Sequence, residues 1–306
     1  MFRFMVWRVL RALFTMFLVL VIAFLTLRFS GEPFEAMFPE GITIEHEEAL
    51  KKKWLLDRPI GEQFVIYLSR IAQGDFGRSL FSQEKVWKIY ASRMPATLSV
   101  GGLALLVAIT VGIPLGAISA LRRGRPSERA AMGFAFLGYA IPHFVLGIGL
   151  ILCFGYYWRL LPASGLDTSK HYILPVITLA IPMLAAIARF MRAAMLDTIG
   201  QDHVMTAQSK GLSLGHISRA HIFRNAMIPL ITVLGLEIAG LANGSVFIEA
   251  VFSLPGVGRV LINSVENRDF PVLQFGVIAY SAIIVAINLM IDLLYTLVDP
   301  RVTVEG

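Results

Sequence analysis

The stretch Thr97–Leu121, TLSVGGLALLVAITVGIPLGAISAL, runs for 25 residues without a charged side chain. At 1.5 Å per residue a helix of that length is about 37 Å long, enough to cross the roughly 30 Å hydrocarbon core of a bilayer. Five more long apolar runs accompany it, at Val9–Phe29, Ala130–Tyr157, Tyr172–Leu196, Ala226–Phe252 and Val272–Val298. Each is predicted to be helical, because hydrocarbon offers an unpaired backbone group no partner. Barrel strands would be about ten residues long with alternating polarity, and these runs have neither property. The composition of the 306-residue chain agrees: 56% is hydrophobic and the mean hydropathy is +0.70, more apolar surface than a soluble domain buries. The expected fold class is all-α, a polytopic membrane protein with six transmembrane helices.

The formal charge of +6 sits mainly in loops of one side. Arg3, Arg8 and Arg11, then Arg122, Arg123, Arg125 and Arg129, then Lys210, Arg219 and Arg224, and finally Arg301 fall together; the short loops opposite hold only Arg159, Lys170, Arg259 and Arg268. The positive-inside rule then places both termini in the cytoplasm. This basic excess orients the chain and does not indicate nucleic acid. The N-terminus has the basic and apolar regions of a signal peptide, but LRFSGEPF after them offers no small-residue cleavage site, so a retained first helix is expected. Cys153 is the only cysteine, which excludes an internal disulfide and a cysteine-based metal site.

The expected organisation is a cytoplasmic N-terminus and first span over residues 1–29, an outward loop domain over 30–96, a five-helix core over 97–298, and a cytoplasmic tail over 299–306. In the outward segment DRPIGEQFVIYLSRIAQ reads as a short amphipathic helix starting after Pro59, and Trp54, Phe76, Phe81 and Trp87 are expected to pack a small core. Within the five-helix core, residues 197–225 form a cytoplasmic loop too long for a simple connector, so it should carry its own helices and a task.

Gly211-Leu212-Ser213-Leu214-Gly215 in that loop matches the G-x-S-x-G nucleophile elbow, with His216 and His221 close by. The elbow works on a strand-to-helix turn. Here the preceding DHVMTAQSK is helix-compatible, and Gly211 reads as a helix stop because glycine enters the left-handed region freely. An intramembrane serine hydrolase using Ser213 is the remote alternative. HEEAL at His46–Leu50 lacks the second histidine of a zinc helix, and no Gly-Lys dipeptide exists to build a phosphate loop, so no metal or nucleotide site is expected.

Polar residues in the spans are costly and normally meet a helix interface or an aqueous path. Glu237 in VLGLEIAGLANGS, among small residues that permit close helix approach, reads equally as lining a pathway, with Asn243 nearby, or as a helix-packing group; Asn288 and Asp292, four apart on one helix face, are read as interhelical hydrogen-bonding groups. Pro142, Pro175, Pro182 and Pro229 mark places where the spans bend.

Taken in order, DRPIGEQFVIYL, GDFGRSL, RMPATLSV, IPLGAISA, LLPASG, DHVMTAQSKGLS…HIFRNAMIPLIT, FIEAVFSLPGVGRVL, RDFPV and NLMIDLLYTLVDPR closely resemble the permease subunits of bacterial ABC importers for dipeptides, oligopeptides and nickel. The resemblance covers almost the whole chain and is to the subunit with the longer periplasmic loop. It implies the type I importer permease fold in the inner membrane, acting on short peptides, or on nickel or another small solute. The implied partners are a second, homologous permease, two ATP-binding subunits that hold ATP and magnesium, and a periplasmic solute-binding protein. The chain itself would be neither an enzyme nor a cofactor binder. The resemblance also implies that Asp202–Lys210 is the coupling helix docking on an ATPase. Ala207 and Gly211 occupy the second alanine and the glycine of the family's EAA motif, while Met205 and Thr206 replace its glutamate and first alanine. Small Ala207 is then expected to face the ATPase groove and Gly211 to end the helix.

Overall fold

The computed structural model describes residues 2–29, 38 and 41–298; the side chains of 2–5, 53, 242, 243 and 292–298 fall outside that description, as does the expected tail 299–306. The elements are α1 (Phe2–Phe29), α2 (Ile44–Lys53), α3 (Ile60–Ala72), α4 (Val86–Leu121), α5 (Pro126–Ala140), α6 (His143–Leu150, continued by a π turn over Ile151–Tyr157), α7 (Ile173–Ile199), α8 (Asp202–Ser209), α9 (Leu214–Ile217), α10 (Arg224–Val251), α11 (Val257–Glu266) and α12 (Phe270–Val298). A second π turn, Ser218–Phe223, joins α9 to α10. Among the described residues there is no strand, only one isolated bridge between Arg78 and Lys85. Five helices among the described residues are long and apolar enough to cross a membrane, or six crossings if one bent pair counts as one.

That bent pair is the apolar run Ala130–Tyr157, in which Pro142 marks the bend. α5 and α6 meet at 101°. Pro142 makes a break possible: it brings no N–H and disfavours the helical region at the preceding residue, and Ile141 is extended at φ −82°, ψ 124°. Pro182 and Pro229, by contrast, lie inside α7 and α10, which run on through them. One difference from expectation is that α4 begins at Val86, eleven residues before the apolar run, so polar and apolar stretches share one helix.

The chain divides into two compact units. In the first, Ala96–Pro255 with Ala286 onward, α7 packs chiefly on α10 and α5, and α6 packs on both α7 and α10. One end of its core gathers Met191, Met195, Ala207, Ile217, Ile222 and Leu230; the other gathers Val100, Leu174, Leu179, Ile248 and Phe252. Gly116 of α4 lies so close to α7 that a Cβ there would overlap the Ala188 carbonyl oxygen and stand 2.8 Å from Met191 Cβ. Only glycine lets the two backbones approach that far.

The second unit joins Phe2–Pro95 to Gly256–Val285. α3 starts after Pro59 as expected and lays Phe64 and Tyr67 against Phe24 of α1, with ring centroids 5.2 and 5.4 Å apart. The GDFGRSL segment is tied to RDFPV: Ser79 Oγ donates to Asp269 Oδ2 at 2.5 Å, and the Leu80 amide donates to Asp269 Oδ1 at 3.1 Å. Tyr90 donates to the Val272 carbonyl at 3.0 Å, inside a core of Val86, Tyr90, Val257 and Val272. Of the four aromatic residues expected in a core, Phe76 is there, its ring 4.9 Å from that of Phe275. Trp54 is half-buried, and Phe81 and Trp87 are exposed.

Candidate functional site: the short helix between spans and the polar groups of the spans

Asp202–Ser209 folds as α8, with Asp202 in its first turn where a carboxylate meets the positive end of the helix dipole. Its end is a Schellman motif built on Gly211, at φ +74°. The Gly211 amide donates to the Gln208 carbonyl at 2.9 Å and the Leu212 amide to the Ala207 carbonyl at 3.4 Å, while Lys210 closes the last turn on Thr206 at 3.1 Å.

α8 has two unlike faces. Val204 and Ala207, three apart, are fully buried against Ile217, Ile222, Ala226 and Met195 of the same chain. The expectation that Ala207 faces a partner is therefore corrected: its methyl group sets how closely α8 packs on its own chain. The opposite face carries exposed Met205, Thr206 and Gln208, and beyond the turn Leu212 and Leu214 are also exposed, Leu214 at 77%. Asn225 at the start of α10 fastens α8 laterally: its Nδ2 donates to the His221 carbonyl at 2.7 Å and lies 3.1 Å from His203 Nε2.

The G-x-S-x-G match stands between two helices. Ser213 is the N-cap of α9 and accepts the His216 amide at 3.4 Å. His216 and His221 have ring centroids 6.1 Å apart, and no carboxylate orients either one among the described residues. The geometry that makes such a serine a nucleophile requires a base and an acid in line, and the described residues supply a cap.

In the spans, Glu237 is half-buried on α10 and feels the positive charge of Arg189 on α7. Arg189 lies with its guanidinium carbon 4.0 Å from the Tyr139 ring centroid, and its Nε is buried without a partner. The side chains of Asn243 and Asp292 lie outside the description, and Asn288 is exposed.

Reading by sequence missed three polar devices. Glu249, in FIEAVFSLPG, is 2% exposed and accepts from Thr97 Oγ1 at 2.6 Å. Glu128, just after the arginine-rich turn, accepts the Arg192 guanidinium on Oε1, with Nε at 2.8 Å, and the Gly124 amide on Oε2 at 2.6 Å. It thereby ties the α4–α5 turn to the part of α7 that leads into α8. Arg189 is the third. A cation within an apolar helix was a usable signal for Arg189, since such groups are rarely idle. Glu128 lies outside the apolar runs, where a lone acid attracts no notice.

Residues 112–304 match the family described as the binding-protein-dependent transport system inner membrane component, and residues 1–101 match its N-terminal companion. The dipeptide transport system permease protein of Escherichia coli is 36% identical over 304 residues, covering 89% of this chain and 90% of its own. The glutathione transport system permease protein of Escherichia coli is 37% identical over 303 residues, covering 99% of both chains. A probable peptide ABC transporter permease of Sinorhizobium fredii is 34% identical, covering 96% of this chain and 97% of its own. Among solved structures, an inward-facing form of the MetNI methionine ABC transporter aligns with a TM-score of 0.60 at 16% identity, covering 70% of this chain and 97% of that one. An amino acid ABC transporter crystallised with histidines aligns with a TM-score of 0.53 at 21% identity, covering 70% and 94%. At those identities the structural likeness concerns the fold. The chain belongs to the family of inner membrane components of binding-protein-dependent transport systems.

Proposed function

We propose that this chain is a permease subunit importing short peptides, and that α8 is the element through which ATPase subunits drive it. The observation that carries the coupling reading is the two-sided character of α8. One face is locked into the core that α7 and α10 share, and the other presents Met205, Leu212 and Leu214 to solvent. A helix so placed is biased at once by a docked partner and by the spans behind it, which is what coupling physically requires. The peptide reading rests on relatives that are named for dipeptide and glutathione transport and match nearly end to end. The chain would work as six spans, the bent α5–α6 pair counting as one, with both termini cytoplasmic. It would pair with a second permease, two ATPases holding ATP and magnesium, and a binding protein. Half-buried Glu237 is the proposed contact for a cargo ammonium group, with Arg189 modulating its charge.

The test uses the whole complex in lipid, with ATP hydrolysis measured with and without dipeptide-loaded binding protein. Met205→Asp and Leu214→Asp place charge on the exposed face and should leave the permease folded while cutting stimulated hydrolysis and dipeptide uptake together, by about tenfold or more. Normal stimulation in both variants would show that α8 does not couple.

A further inference from the structure

A cavity of about 450 Å³ lies within the second compact unit, bounded by the last turn of α1, by α3, by the loop after it and by the start of α12. Three of its lining residues each carry a buried polar atom with no hydrogen-bond partner: Arg28 Nε, Gln63 Oε1 and the Tyr67 hydroxyl. Such atoms are rare in folded proteins, since each forfeits hydration for nothing. Three such residues line this one cavity, which makes it a candidate ligand site.

Their chemistry is specific. Gln63 is 7% exposed, and its Nε2 donates to the Arg58 carbonyl at 2.7 Å and the Leu56 carbonyl at 3.4 Å. Those two bonds fix the amide, so Oε1 is left asking for a donor. Arg28 has its guanidinium carbon 5.3 Å from the Phe24 ring centroid, and the same ring stacks on Tyr67 at 5.4 Å. Arg28 and Tyr67 thus both pack on the one Phe24 ring. Burial raises the Tyr67 pKa, so the phenol stays protonated and can donate. Arg28 and Tyr67 call for an anionic acceptor, and Gln63 calls for an N–H or O–H. Further out, Arg70 and Arg78 against Asp75 leave the lining cationic.

The position narrows the choice. Arg28 stands in the last turn of an apolar helix whose membrane-length run is Val6–Phe29, the level at which headgroups lie, and Trp54 and Tyr67 are residues suited to that level. Below it Phe14 and Ile22 of α1 are exposed, an apolar track for acyl chains. We infer that the cavity is a phospholipid headgroup site, with the phosphate on Arg28 and Tyr67 and the headgroup ammonium or hydroxyl on Gln63. The cavity shares no lining residue with α8 and does not include Glu237, so the assignment stands whatever the cargo proves to be.

The experiment is native mass spectrometry of the intact, delipidated complex, titrated in separate arms with phosphatidylethanolamine, phosphatidylglycerol, inorganic phosphate and a dipeptide. A retained lipid adduct is expected, weakened about tenfold by Arg28→Gln and about threefold by Tyr67→Phe, as fits loss of a charged and a neutral hydrogen bond. Tyr67→Phe removes one hydroxyl only and keeps the test readable if the Arg28 variant fails to assemble. Equal lipid retention in wild type and Tyr67→Phe would overturn the assignment. So would binding of inorganic phosphate or dipeptide, but no lipid, with the same residue dependence.

Discussion

Two helices of nearly equal length and similar apolar character, α1 with 28 residues and α7 with 27, meet opposite fates. In the most apolar window of α1, 11% of the residues are buried by the rest of the chain; for α7 the share is 67%. Hydropathy does not separate them, because lipid is as apolar as a protein core. Side-chain size does. α7 carries Ala180, Ala185, Ala186 and Ala188 on buried positions and meets Gly116 of α4, so backbones close up around it. α1 turns Leu13, Phe14, Phe17 and Ile22 outward, large groups that keep neighbours away and suit acyl chains. In this pair close approach by small residues goes with burial, and apolarity alone does not decide it.

The sharpest way to break that comparison is Gly116→Leu. Four added carbons would overlap Ala188 and Met191, costing about 3 kcal/mol or more if the helices stay together, so loss of the folded permease from detergent extracts is expected. Recovery of wild-type amounts with an unchanged melting temperature would mean α7 does not owe its burial to close approach.

A smaller effect is expected from Glu128→Ala, which strips the Arg192 guanidinium and the Gly124 amide of their shared acceptor. The melting temperature of the purified complex should fall, and Arg192→Met in the same chain should restore part of it, since the unpaired cation is then gone. If the double variant melts lower than the single one, the pair is not the reason α7 is anchored at that end.

Least affected should be Leu13→Ala in α1. Leu13 is 62% exposed within the chain, so the permease's own melting temperature should move by less than about 0.5 kcal/mol in equivalent stability. A drop as large as that of a buried α7 position would show that α1 is covered in the assembly, and the contrast would then belong to the isolated chain only.

α8 repeats the contrast on the scale of eight residues, and shows where sequence stops. The sequence by itself determined that the chain is helical and membrane-embedded, because long apolar runs leave the backbone no other way to pair its polar groups. It likewise determined that α3 begins after Pro59 and that α8 ends at Gly211, because proline and glycine act through their own backbone restrictions. Local chemistry of this kind needs no partner. Which face of α8 turns inward, by contrast, was decided by Ile217 and Ile222 arriving from beyond the next turn, and Ala207 went to them. Pro142 announced a bend, but whether the helix would run on, as α7 does through Pro182, or break by 101° depended on what packed around it. Glu249 meeting Thr97, Asp269 meeting Ser79 and Glu128 meeting Arg192 pair residues 152, 190 and 64 positions apart. No periodicity records such distances. They exist only because packing brings the two positions together, and burial then makes each hydrogen bond costly to omit.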